Sequence, residues 1–161
     1  MCPVKYIEMT RAKYLAQAFP VYQWTVNETA PWTPFTKRLE KCRVALLSSG
    51  GISLKSQPPF NPGGRDDFSF REIPRDVDVR DLVINHDYYD HADAERDINC
   101  VFPIERLGDL EKEGYIGELA PFSYTFMGRV FRRGGLQQEM APDLVRRLKA
   151  NKIDALLGVP A

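Results

Sequence analysis

Arg43-Val44-Ala45-Leu46-Leu47-Ser48-Ser49-Gly50-Gly51 is a short apolar run between a basic entry and a Ser-Gly exit. A run of this length and composition reads as a strand buried on both faces, the first strand of a parallel sheet. Its exit has the composition of an anion site, because glycines let backbone N–H groups approach a ligand and serines add hydroxyl donors. Ser48, Ser49, Gly50 and Gly51 are therefore substrate-binding candidates. Neither Gly-x-Gly-x-x-Gly nor Gly-Lys-Ser/Thr follows, which argues against a nucleotide site. The chain instead enters Ser56-Gln57-Pro58-Pro59-Phe60-Asn61-Pro62-Gly63-Gly64, a segment expected to form a mobile flap or an ordered Ω-like loop.

Downstream of that loop, Asp67 to Ile73 alternates like a half-buried strand and Leu82 to Asn85 forms another. Pro103 to Gly114 predicts a helix with Pro in its first turn, Ile104, Leu107 and Leu110 on one face, and a Gly stop. Phe122 to Met127 predicts a strand closed by Gly128. Met140 to Ala150 predicts a helix with Leu144, Val145 and Leu148 facing inward and Asn151 as its left-handed exit. Ile153 to Ala161 predicts a last buried strand. Strands alternating with helices imply an α/β domain over residues 43–161, with a Rossmann-like or flavodoxin-like, mainly parallel sheet and flanking helices. Residues 1–42 read as an N-terminal amphipathic helix, Val4 to Ala18, followed by an irregular arm, Gln23 to Lys41. The aromatics of that arm, Trp24 and Trp32 among them, are expected to pack on the core.

The 161 residues suffice for one domain with a real core. Apolar residues make up 43% and charged residues 27%, which excludes wholesale disorder. No apolar run approaches the ~20 residues that crossing a bilayer requires, so no membrane partner is expected. Lys plus Arg equals Asp plus Glu at 22 each, so nothing points to nucleic acid. The first residues lack the regions of a secretory signal, which makes a cytoplasmic location the expectation. Cys2, Cys42 and Cys100 stand at wide spacings with no Cys-x-x-Cys pair and read as reduced thiols.

Both histidines fall in Arg80-Asp81-Leu82-Val83-Ile84-Asn85-His86-Asp87-Tyr88-Tyr89-Asp90-His91-Ala92-Asp93. Here an apolar strand breaks into a titratable loop, the place where an open α/β sheet usually holds its ligands. His86 should lie at the carboxyl edge of the parallel sheet, within reach of Ser48 to Gly51. Imidazole titrates near neutrality, so His86 is a candidate base or acid. A competing reading makes His86, Asp87, Asp90, His91 and Asp93 the ligands of a metal-dependent hydrolase. Their spacing matches neither His-Glu-x-x-His nor an EF-hand loop, and no structural metal is expected.

Five segments taken together resemble the selenoprotein B family of glycine, sarcosine, betaine and D-proline reductases, in particular its short bacterial homologues. They are Val44 to Gly51, Asn85 to Asp90, Asp97 to Leu107, Gly114 to Gly117 and Tyr124 to Gly128. The resemblance implies reductive C–N cleavage of a small amine or amino-acid-like substrate by a thiol or selenol, with an external thiol reductant and no cofactor bound by this chain. It makes His86, Asp97 and Asn99 the catalytic candidates and adds Tyr88 and Tyr124 to the substrate-binding set. It also calls for a reactive Cys or selenocysteine beyond the strand matching Ala155 to Ala161, a position that none of the three cysteines occupies. The α/β domain is thus expected to be incomplete at its C-terminal side, and a second copy or second protein subunit to cover it. A noncatalytic interaction subunit is the alternative.

Overall fold

A computed structural model describes residues 5–21, 24, 26–31, 33–61 and 66–161. The described chain divides into two compact units, one ending at Phe35 and one running from Thr36 to Ala161. That boundary precedes the one read from the sequence. The first unit contains α1 (Tyr6–Ala16), which buries none of its residues. Tyr6 sets its ring edge-on to Trp24 at 5.6 Å, and Tyr14 contacts Phe19. Cys2 and Trp32 lie outside the described residues.

The second unit is mixed α/β. Its strands are β1 (Arg43–Ser48), β2 (Ile52–Leu54), β3 (Phe70–Pro74), β4 (Leu82–Ile84), β5 (Glu118–Leu119), β6 (Phe122–Phe126) and β7 (Ala155–Val159). Its helices are α2 (Ala92–Arg96), α3 (Ile104–Lys112), α4 (Arg133–Gly135) and α5 (Ala141–Ala150), the last entered through a π-helical turn at Leu136–Met140. β7 pairs in parallel along β1 from Val44↔Ala155 to Ser48↔Val159. β5 and then β6 therefore share the opposite edge of β1, also in parallel. β3 closes that side antiparallel to β6.

β1 shows why the sheet holds helices on two sides. Alternate residues of a strand point to opposite faces, and both faces here are apolar. Val44 and Leu46 join a core with Phe102, Ile104 and Leu107 at the start of α3. Ala45 and Leu47 join a second core with Tyr124 and with Leu144 and Leu148 of α5. β6 uses the same alternation differently. Tyr124 fills the α5 side, while the buried hydroxyls of Ser123 and Thr125 accept from the Leu46 and Ile52 N–H groups.

Several expectations are corrected. β4 is no strand of the parallel sheet: it pairs antiparallel with β2 in a separate two-stranded ladder, Ile52↔Ile84 to Leu54↔Leu82. The reason is local. Gly50 and Gly51 turn the chain straight from β1 into β2 with no crossover helix, and three residues are too few to display a period. Val145 is 44% exposed, so the inward face of α5 is narrower than predicted. Asn151 keeps a negative φ of −83° and Lys152 takes the left-handed position at 53°. The Asn151 amide is engaged elsewhere, donating to the Arg147 carbonyl and the Tyr124 hydroxyl. β7 is an edge strand with Leu156 and Leu157 both about two-fifths exposed, not a buried one. The described part of the Pro-rich loop, residues 56–61, is tied to the fold. Phe60 is buried, its N–H donates to Asn85 Oδ1, and Arg71 donates to the Pro58 and Pro59 carbonyls.

Candidate active site

The turn after β1 is fixed by its own polar groups. Ser48 is fully buried; its hydroxyl donates to the Val101 carbonyl at 2.7 Å and accepts from Gly50 N–H at 3.1 Å. Ser49 N–H donates to the Val159 carbonyl and Gly51 N–H to the Phe126 carbonyl. Every backbone donor from Ser49 to Gly51 is thus spent inside the fold, and the turn presents no cradle of unengaged N–H groups to an anion. Its glycines answer to packing. Gly51 has φ +64°, and a Cβ there would stand 3.0 Å from His86 Cβ. A Cβ on Gly128 would meet the Ser49 carbonyl oxygen at 2.8 Å. Ser49 Oγ accepts from Ala161 N–H, which draws the end of the β7 segment to the same place.

His86 does lie against this turn, as the sequence indicated, although β4 delivers it from the small ladder. Asn85 N–H donates to the Gly51 carbonyl at 2.9 Å, and His86 follows, only 5% exposed. Its Nδ1 accepts from the Tyr88 N–H at 3.1 Å. Tyr89 stands between the two imidazoles, 5.1 Å from the His86 ring and 4.4 Å from that of His91. The Tyr89 hydroxyl donates to the Gly50 carbonyl, and burial pushes its pKa up to about 12. Burial, followed by the His91 and Arg129 charges, lowers the His86 pKa below its ordinary 6.5, with Asp87 acting in the opposite sense.

His86, Tyr88, Tyr89, Arg129, Phe131 and Ala161 line one cavity of about 410 Å³, floored by Gly128 and Val130. Arg129 lays its guanidinium over the Tyr88 ring at 3.9 Å and near the Phe131 ring at 5.5 Å. The wall at Phe131 is held from outside. The Asp66 carboxylate accepts from the N–H groups of Phe131 and Arg132. Those bonds, Arg132 first, keep its pKa below the usual carboxylate value.

The other candidates fall elsewhere. Tyr124 is fully buried in the α5 core, so the structure removes it from the substrate-binding set. Asp97 and Asn99 do not line the cavity of His86. Asp97 caps the turn Ile98–Cys100, accepting from the Asn99 N–H and side-chain amide, and Asn99 reaches on to Glu105. Asp97 and His91 line a different cavity, of about 710 Å³, to which His86 does not contribute. The hydrolase ligand set does not assemble either. Asp90 caps Ala92 and Asp93 pairs with Arg96. Among the described residues no group of three or more His, Cys, Asp or Glu is placed to hold a metal ion. Cys42 is buried with its thiol directed to the Arg38 carbonyl, Cys100 is exposed, and neither lines the cavity of His86.

Tyr89, Arg129 and Phe131 were missed in the sequence. The signal was present: Met127-Gly128-Arg129 follows a strand parallel to β1 and so opens on the same side as the Ser-Gly turn.

The glycine/sarcosine/betaine reductase selenoprotein B profile matches residues 6–159. The chain belongs to this family. It is 43% identical to the D-proline reductase subunit gamma of Acetoanaerobium sticklandii over 126 residues, which cover 78% of this chain and 51% of that protein. It is 31% identical to the glycine reductase complex component B subunit gamma of Carboxydothermus hydrogenoformans over 139 residues, covering 81% and 30% of the two chains. Similarity to the sarcosine reductase complex component B subunit beta of Peptoclostridium acidaminophilum is 31% over 110 residues, covering 66% and 25%. This selenoprotein B family chain thus spans about half the length of the first of these relatives and less of the others. No solved structure matches it. No helix among the described residues is long and apolar enough to cross a membrane.

Proposed function

We propose that this selenoprotein B family chain is a subunit, or part of one, in a cytoplasmic reductase complex that cleaves a C–N bond of a small amine or amino-acid-like substrate. The observation that carries this reading is the convergence, in a chain of this family, of the loops after β4 and β6 and of Ala161 on one cavity. The parallel trio β6-β1-β7, with α3 and α5 packed on opposite faces of β1, supports kinship with doubly wound sheets. In such sheets the crevice beside the carboxyl ends of the strands takes the ligand. A volume of about 410 Å³ admits a molecule of amino-acid size.

In the reaction implied by the resemblance, a thiolate or selenolate displaces the amine from carbon. The new C–S or C–Se bond replaces the C–N bond, the nitrogen takes up a proton and departs as an amine or, from a ring such as that of D-proline, stays on the opened chain, and an external thiol later supplies the reducing electrons. Ala161 lines the cavity, which supports a reading in which the sulfur or selenium reaches the substrate there.

The test is purification of the native complex that contains this chain, followed by dithiothreitol-dependent C–N cleavage, read as amine released from glycine, sarcosine and betaine and as the ring-opened amino acid formed from D-proline. Turnover of one of the four and a co-purifying subunit are expected. A chain that purifies alone and cleaves the C–N bond of none would contradict the reading. A second reading, a noncatalytic subunit, draws on β7: Leu156 and Leu157 are exposed on its two faces, and its outer edge has no strand partner among the described residues. Either a second copy or a different subunit can add there, and sedimentation distinguishes them.

A further inference from the structure

We infer that His86 serves its cavity as a fixed, neutral hydrogen-bond donor through Nε2, and that the group it receives is a carboxylate shared with the Arg129 guanidinium. The inference rests on reading this cavity as the ligand site, and it departs from the role of base that the sequence suggests for a lone loop histidine.

The geometry decides the tautomer. A neutral imidazole carries one proton, and a nitrogen that accepts a hydrogen bond must present its lone pair. Nδ1 accepts from the Tyr88 N–H at 3.1 Å, so the proton sits on Nε2. Moving it to Nδ1, as a base acting through Nε2 would require, sets two donors against each other beneath a ring that is 5% exposed. Nε2 has no hydrogen-bond partner among the described residues, and Nδ1 is used by its own loop. Only Nε2–H can therefore serve a ligand. Protonation to imidazolium is opposed by burial, by His91 and by Arg129, and favoured by Asp87; Tyr88 and Tyr89 present rings to it without charge.

The class of ligand follows from what else lines the cavity. Among the described residues that line it there is one arginine and no Asp or Glu. The Arg129 guanidinium sits over the Tyr88 ring at 3.9 Å, which places a cation that carries several N–H donors at the cavity wall. Two kinds of N–H, one on a cation, with aromatic walls around them, match a small carboxylate. An ammonium group would find like charge.

Nitrogen-15 NMR on the intact chain tests this, helped by the presence of only two histidines. Long-range proton–nitrogen correlations near neutral pH should show His86 with Nε2 protonated and Nδ1 bare. Titration with acetate should move the His86 Nε2 signal, and methylammonium should not. Arg129→Gln and His86→Ala should each weaken acetate by ~10-fold or more, as expected for loss of a charge-assisted or buried donor, and His86→Gln, which keeps an N–H donor, should weaken it less. Acetate affinity should be level through neutral pH and rise only well below 6.5. An Nδ1–H tautomer, indifference of acetate to both variants, or preference for methylammonium would overturn the inference. Any of these leaves the C–N cleavage assay of the complex to stand or fall separately.

Discussion

Two loops meet beside the cavity and employ their polar groups in opposite ways. The turn Ser48–Gly51 looks richer in the sequence, with two hydroxyls and two glycines, yet its donors are committed to Val101, Phe126, Val159 and to one another. The loop His86–His91 spends one ring nitrogen on its own backbone and brings His86, Tyr88 and Tyr89 to the cavity wall. The lesson is that polar composition at a strand end does not reveal availability. A β1 turn that must reverse directly into β2 while seating Gly128 and Ala161 consumes its own hydrogen bonds, whereas a longer loop anchored at Gly50 and Gly51 has groups to spare.

The contrast predicts that changes on the turn side lower stability and changes on the loop side lower ligand binding. The largest effect should come from Tyr124, grouped by the sequence with the substrate residues but buried in the α5 core. Tyr124→Ala should cost on the order of 3–5 kcal/mol in denaturant unfolding, and Tyr124→Phe only about 1 kcal/mol with activity per folded molecule retained. A Tyr124→Phe variant that is stable but inactive would break the division. Gly128→Ala comes next. Its Cβ would meet the Ser49 carbonyl at 2.8 Å, and overpacking of this kind should lower stability by roughly 1–3 kcal/mol, visible as a lower melting temperature. Ser48→Ala removes the donor to Val101 and the acceptor for Gly50 and should cost about 1–2 kcal/mol.

The smallest effect is one of pH and belongs to the loop. His86 has a folded-state pKa below its ordinary 6.5, owing first to burial. Below 6.5 the unfolded chain binds the additional proton more readily, so stability falls as pH drops from 6.5 through the folded value and is unaffected by this group above it. Urea midpoints across that range should fall more steeply for the native chain than for His86→Gln. Parallel curves would show that burial of His86 carries no such linkage.

How much of this was legible depended on the length and environment of each segment. β1, α3 and α5 announce themselves because an unbroken apolar run and two Pro-initiated amphipathic stretches each have a single good solution. β4 was legible as a strand but not in its pairing, and β2 was not legible at all, since three residues display no period and the antiparallel ladder depends on a turn whose direction Gly50 and Gly51 leave open. The exposure of Leu156 and Leu157 was hidden because an edge strand and a buried strand share the same composition. His86 was legible as a site residue from its place after an apolar run. Its tautomer was not, because that depends on the Tyr88 N–H, a backbone group every residue but proline carries. Arg129 was overlooked and not hidden: an arginine after a Gly stop reads as solvated unless the strand before it is followed to the side on which β1 also ends.

The central claim is that the loop-side cavity, and not the Ser-Gly turn, meets the substrate. Its most direct test is kcat/KM for dithiothreitol-dependent C–N cleavage by the native complex, measured per folded molecule for Arg129→Ala and Ser48→Ala. The account predicts a loss of ~10-fold or more for Arg129→Ala, the size of a lost charge-assisted contact, and no change for Ser48→Ala once its lower stability is allowed for. Full activity in Arg129→Ala together with a collapse in fully folded Ser48→Ala would contradict it.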